Sequence, residues 1–287
     1  MKKILYILPI LLISCQKEIK LDFPTDGENP IVVEAYINTA YPELNYVLLS
    51  KSKDYSDTNT TILPVHGANV SITEGTKTTD SGYIWDENSL RSLTETAIPN
   101  FVTANLGFYT DATLTLLGKE EKYYRLVIDS EGKKDTSVTY IPKIVALDSI
   151  SYEKKTDGTK QYAQITIHYN DEIERGNRYI DLYDTTSRSL PRGWADVAKY
   201  RLHDDKTING VYRNELRFTR YSLGDTLSYY LISISEPSYE FWEGINANKG
   251  TPNPFTGMYP IPFTVRNKDF IGGFTGMAVS KKEIILE

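Results

Sequence analysis

The chain has 287 residues, a formal net charge of −6, one cysteine, and 22 tyrosines against 9 phenylalanines and 3 tryptophans. An acidic balance without any basic block excludes nucleic acid and anionic lipid headgroups as partners, because both require clustered Lys and Arg, and a single thiol excludes a disulfide framework. The length exceeds the usual domain mode of about 100 to 150 residues, which suggests two modules, each able to bury a core.

At the start, Lys2 and Lys3 precede an apolar run from Ile4 to Ile13 that ends at small Ser14 and then Cys15. This is the build of a secretory leader. The run has about half of the roughly 20 apolar residues that a membrane-spanning helix needs. Leu12-Ile13-Ser14-Cys15 resembles the lipobox of bacterial lipoproteins, which implies that residues 1–14 are removed and that Cys15 becomes an acylated N-terminus carrying chains such as palmitate. Several acyl chains at ~0.8 kcal/mol per buried methylene give stable anchoring, where one chain is marginal. Residues 15–30 then form a tether, in which Lys17 and Glu18 resemble the export signal that sends lipoproteins to the exterior face of the outer membrane.

From Ile31 the pattern is all-β: short runs rich in Val, Ile, Thr and Tyr, separated by turn residues. IVVEAYI (31–37), LNYVLLS (44–50), ANVSITE (68–74), SGYIWDE (81–87), ATLTLL (112–117), KYYRLVI (122–128) and TSVTYI (136–141) read as seven strands. In the sixth, Tyr124, Leu126 and Ile128 share one face. Seven strands at this spacing suggest an immunoglobulin-like sandwich over residues 31–141. Pro142 breaks the ladder, so a second β domain is expected over 142–287, with 141–150 as its connecting segment.

In that second module, QYAQITIHY (161–169) turns Ala163, Ile165, Ile167 and Tyr169 inward and His168 toward solvent, and RYIDLY (178–183), VYRNELRF (211–218) and LSYYLISI (227–234) continue the sheet. One helix is expected near 236–248, because Ser235 can cap it, Pro237 sits in its first turn, and Phe241/Ile245 and Tyr239/Trp242 have helical spacing. Four prolines between 252 and 262 exclude a central strand there, and GGFTGMAVSKKEIIL closes the domain with a final strand or two, its glycines permitting a bulge or tight turn.

Catalytic signatures are missing. The three histidines, His66, His168 and His203, fall in separate segments, with no H-E-x-x-H, G-x-S-x-G, phosphate-binding loop or C-x-x-C. Asp204, Asp205 and Asn209 in HDDKTING offer a density of oxygen ligands that could hold Ca²⁺, but the spacing is not that of an EF-hand. Asn209-Gly210 reads instead as a hairpin turn. The acidic NDEIERGN (170–177) likewise reads as a hairpin loop, with Asp171 and Glu172 beside Asp204 and Asp205 as the carboxylates a hydrolase would need. No enzyme activity, cofactor or metal is expected. Tyr239, Phe241 and Trp242 on the helix, with Phe255 and Tyr259 in the proline-rich loop, leave two readings open: core packing, or a partner-binding patch of the aromatic type that interface centres favour.

The order of PIVVEAYI, YNDEIERGNRYIDLY, HDDKTING, GDTLSYYLISISEPSYEFWEGI and VRNKDFIGGFTGMAVS behind a lipobox resembles an uncharacterised family of Bacteroidota outer-membrane lipoproteins, a domain of unknown function often encoded beside TonB-dependent transporters. The resemblance implies a non-enzymatic lipoprotein of the outer membrane, facing the exterior, that acts as an accessory or lid-like subunit of a TonB-dependent barrel or a related outer-membrane assembly. It brings no catalytic residues. The alternative is a stand-alone glycan or peptide binder in which exposed tyrosines and tryptophans stack on sugar rings.

Overall fold

A computed structural model describes residues 29–53, 61–96, 106–171, 176–185, 200–205, 211–215, 221–248 and 260–287. The leader, Cys15 and nearly all of the tether lie outside these residues. The first half contains β1 (Ile31–Asn38), β2 (Tyr46–Lys51), β3 (Leu63–Pro64), β4 (Asn69–Lys77), β5 (Tyr83–Trp85), β6 (Arg91–Glu95), β7 (Phe108–Thr110), β8 (Lys122–Ser130) and β9 (Lys133–Ile141). The second contains β10 (Leu147–Asp157), β11 (Lys160–Asn170), β12 (Arg178–Thr185), β13 (Arg201–Asp204), β14 (Val211–Glu215), β15 (Thr226–Ile234), α1 (Glu236–Ala247), β16 (Val265–Arg266) and β17 (Phe270–Ile285). The class is all-β with one short helix, as the residue pattern dictates.

Alternation forms the strands where it was clearest. On β8, Tyr124, Leu126 and Ile128 are buried, and on β11, Ala163, Ile165, Ile167 and Tyr169 are buried. Burying one row of each pleated strand is what fixes register, since a slip of one residue would turn the whole row to water.

Among the described residues the strands make two sheets. The larger follows the order β13-β12-β15-β17-β1-β2-β7-β6-β4-β8-β9, and the smaller is β10-β11-β14. The strands of 31–141 run as one hydrogen-bonded path, in which β6 passes from β4 at Arg91–Leu93 to β7 at Thr94–Glu95. That path returns on itself: the Gly276 amide of β17 donates to Thr139 Oγ1 of β9 at 2.9 Å. The divide expected at residue 142 is crossed by β1, which pairs in parallel with β17 from Ile31↔Phe270 to Asn38↔Met277.

Strand β17 passes through three apolar cores. Phe270, Phe274 and Ala278 join Ile31, Val33 and Leu126 in the first, Met277 and Val279 join Tyr36 and the helix in the second, and Ile284, with Leu286 just past the strand's end, packs with Ile165, Ile167 and Leu231 in the third. Gly272 and Gly273 lie inside this strand, opposite Val33 and Glu34, and not in a bulge or turn. Gly272 has φ of +144°, which favours glycine, and a Cβ there would collide with the Val33 backbone.

Three local expectations are corrected. Residues 112–117 are not a strand: Asp111 gathers the amides of Thr113, Thr115 and Leu116 at 3.1, 2.9 and 2.9 Å, so its carboxylate takes donors that a ladder would use. The connecting segment after Pro142 becomes strand at Leu147, where β10 pairs β11. Residues 170–177 do not close a hairpin, because β11 belongs to the smaller sheet and β12 to the larger. The hairpin turn expected at Asn209-Gly210 lies outside the described residues, which show β13 paired with β12 and β14 paired with β11. The helix starts and ends close to its expected limits, although Ser235 bonds Ser238 Oγ at 3.0 Å rather than capping an amide.

Candidate functional site

A concave surface lies where the β4–β5 hairpin and strands β8 and β9 meet the first turn of α1. Ser81, with φ of 65°, turns the chain, and Thr78 and Gly82 close the hairpin with N–H to O bonds of 2.9 and 3.1 Å. β5 then carries Tyr83 and Trp85 back along β4. Opposite Trp85 stands Gly75, where a Cβ would sit 2.8 Å from the Ile84 carbonyl oxygen and closer still to the indole, so the missing side chain is what lets the ring cross the strand. Arg125 covers the indole at 5.0 Å and is held by Glu87 at 2.9 Å.

From Trp85 the rings continue in a row. Tyr83 stacks on Trp85 at 5.1 Å and 26°, Tyr123 follows Tyr83 at 5.3 Å, and Tyr140, the cross-strand neighbour of Tyr123, follows at 4.7 Å. Tyr83 is 39% exposed. Burial, reinforced by Glu121 and Tyr123, raises the Tyr140 phenol above its ordinary range. With Pro237, Glu240 and Phe263 on the facing wall, the three tyrosines border a cleft of about 460 Å³. That is within the roughly 300 to 1,000 Å³ of small-ligand sites. A second depression of about 430 Å³, beside Arg91 and Leu117, contains the Lys119–Glu74 ion pair at 2.9 Å.

The aromatic residues expected to bind a partner are elsewhere. Tyr239, Phe241 and Trp242 are 9, 6 and 4% exposed and pack the helix onto the sheet, Trp242 lying 6.1 Å from Tyr36 and 5.1 Å from Tyr200. For these three, the core-packing reading describes the structure. Phe255 and Tyr259 lie outside the described residues.

The acidic candidates are also occupied. Both oxygens of buried Asp205 accept from the Gly176 amide at 2.9 Å, and Arg178 stands 3.7 Å away. Arg178 in turn reaches Glu236 at 3.1 Å and lies 5.6 Å from the Tyr239 ring. Asp171 accepts from the Tyr179 hydroxyl and from Asn177 Nδ2. Asp204 pairs in register with Arg178, and Glu172 and Asn209 are outside the described residues. Among the described residues, no group of three or more His, Cys, Asp and Glu side chains could hold a metal ion.

One polar cluster was not anticipated. Asp181 on β12, 1% exposed, accepts from Arg201 at 2.9 Å and has His203 Nδ1 at 3.3 Å, while His203 Nε2 meets the Tyr169 hydroxyl at 2.8 Å. Burial raises the Asp181 carboxyl, but His203 and Arg201 outweigh it and hold it below the usual carboxylate range. Burial, and then the Asp181 charge, push the Tyr229 phenol well up, so it stays protonated. The signal was present as a charged residue inside RYIDLY, a strand buried on both faces, whose only remedy is a paired charge. His168, expected to face solvent, is half-buried and meets Ser151 Oγ at 2.9 Å.

One protein family matches residues 16–267, described as Domain of unknown function (DUF4249). No curated protein matches the chain. No helix among the described residues is long and apolar enough to cross a membrane.

Proposed function

The chain belongs to that family of unknown function, and on this premise we propose that it is a non-enzymatic lipoprotein, anchored to the outer membrane through Cys15 and facing the exterior, that serves as an accessory or lid-like subunit of a TonB-dependent transporter or related outer-membrane assembly. The observation that carries the reading is the leader itself: an apolar run of about ten residues after Lys2 and Lys3, ending Ser14-Cys15, with the lone thiol of the chain at the acylation position. The β-rich build supports it. A surface module of this kind works by what it holds, and two of the carboxylates that a hydrolase would use are engaged, Asp205 by Arg178 and the Gly176 amide and Asp171 by Tyr179.

The test is capture. The native protein, isolated from detergent-solubilised outer membrane, should bring down a barrel protein in stoichiometric amount, and Cys15→Ser should abolish both palmitate incorporation and membrane fractionation. Recovery of an acylated protein without any barrel would overturn the transporter reading, and an unmodified thiol at Cys15 would overturn the anchor.

A further inference from the structure

We propose that the cleft between the tyrosine row and the start of α1 is a binding site for a neutral, pyranose-containing oligosaccharide, with Tyr83, Tyr123 and Tyr140 as the stacking surface and Glu240 as the acceptor for sugar hydroxyls. This goes beyond the transporter reading and does not depend on it.

Four features point to that chemistry. The ring row advances in steps of 5.3 and 4.7 Å, with successive rings tilted by 57° and 37°, a stepped aromatic surface over a length suited to successive sugar rings. A pyranose has an apolar C–H face, which lies on an aromatic ring, and an equatorial belt of hydroxyls, which wants polar partners. Tyrosine supplies both the apolar body and a polar tip.

The platform is also pre-set. Tyr83 leans on Trp85, and Trp85 is fixed between the bare backbone of Gly75 and the Arg125–Glu87 pair. Little side-chain freedom remains to be lost on binding, which is the usual cost of ordering long side chains at an interface.

Charge then selects the ligand. Among the described residues, the cleft lining includes one carboxylate, Glu240, and neither Lys nor Arg. A carboxylate is acceptor-only, so it is satisfied by hydroxyl donors and repels phosphate, sulfate or uronic acids. A proline-rich peptide, the other ligand that aromatic grooves take, offers carbonyl acceptors and few N–H donors, so it would leave Glu240 unmatched. Glu240 is exposed on the second turn of α1, at the border of the cleft.

The experiment uses the full chain purified in detergent, with no barrel protein present, probed with neutral oligosaccharides, acidic oligosaccharides and proline-rich peptides. At least one neutral saccharide should bind. Tyr83→Ala and Tyr123→Ala should each weaken it about tenfold or more, the loss of one stacking ring, and Glu240→Gln should weaken it several-fold. Tyr83 lies at an exposed hairpin, so Tyr83→Ala should leave the thermal midpoint nearly unchanged and keeps the test alive if Tyr123→Ala does not fold. Absence of neutral-saccharide binding, binding indifferent to these substitutions, or binding of acidic sugars or proline-rich peptides alone would overturn the proposal. A failed barrel capture would leave it standing.

Discussion

The ring of Phe241 fills the space that a side chain at residue 273 would need: a Cβ on Gly273 would meet three ring carbons, the farthest at 2.8 Å. The helix therefore docks on β17 through a bare backbone, and close approach is bought by the absence of one methyl group. Gly273→Ala should destabilise the protein by about 1 to 3 kcal/mol, the range for overpacking a filled core. In that background, Phe241→Leu should cost less than it does alone, since the smaller side chain relieves the clash. Equilibrium urea denaturation of the two single variants and the double variant measures the coupling, and strict additivity would show that the two residues do not share the space.

Asp111 organises the loop that looked like a strand. Burial alone would raise its carboxyl, but the amides of Thr115, Thr113 and Leu116 and the Thr113 hydroxyl reverse that and lower it from 3.8 to about 2. The sign follows from the depressed folded value: the contribution is complete above the unfolded value of 3.8 and is lost as pH falls toward 2. The loop is tied to the end of β1 by Gly118 N–H to Asn38 O at 2.7 Å and to the start of β2 by Asn45 Nδ2 to Leu116 O at 2.7 Å. Asp111→Ala should lower stability at pH 7 by about 1.5 to 3 kcal/mol, the scale of a hydrogen bond to a charged group, and should flatten the acid limb. Denaturation midpoints between pH 2 and 7 check both.

The buried Asp181 charge is held by neighbours rather than by solvent. Asp181→Ala would leave Arg201 and His203 without their carboxylate and leave a gap beside Tyr229, so a loss of about 3 to 5 kcal/mol is expected. Arg201→Ala should cost less, because its side chain is 45% exposed and His203 still faces the carboxylate. Guanidinium titrations separate the two, with an unchanged m-value showing that stability and not compactness has moved.

Residues such as Leu126 and Ile165 were legible because a strand with one wet face must alternate, and that rule is local. Strands β6 and β7 were not legible: RSLTE buries Leu93 alone, so no alternation marks it. ATLTLL alternates well, yet Asp111 wins its amides, a competition that shows only when the preceding side chain is included. The tyrosine row illustrates the limit for sites. Tyr83, Tyr123 and Tyr140 each sit in a segment read as strand, but their alignment depends on the pairing of β4 with both β5 and β8 and of β8 with β9. Composition showed an excess of tyrosine; only long-range register shows which rings meet. The helical aromatics erred in the opposite direction, since their spacing is equally that of a face turned inward.

Residues 31–141 read as a module of their own, and the pairing of β1 with β17 makes this testable. A fragment covering 29–141 would lack Val265, Phe270, Phe274 and Ala278, all buried in the first core beside Ile31, Val33 and Leu126. It would also leave one edge of β1 without the eight-residue parallel ladder that covers it, an exposed apolar edge of the kind that recruits other chains. Each large side chain withdrawn from a core is worth about 1.5 to 3 kcal/mol, and two phenylalanines and a valine together approach the whole of a domain's stability of about 5 to 15 kcal/mol. The fragment is therefore expected to be unfolded or aggregated, and a peptide of residues 260–287 added during refolding should recover a cooperative transition. A monomeric fragment with a sharp thermal unfolding on its own would show instead that the first core closes without β17, and that the chain divides at Pro142.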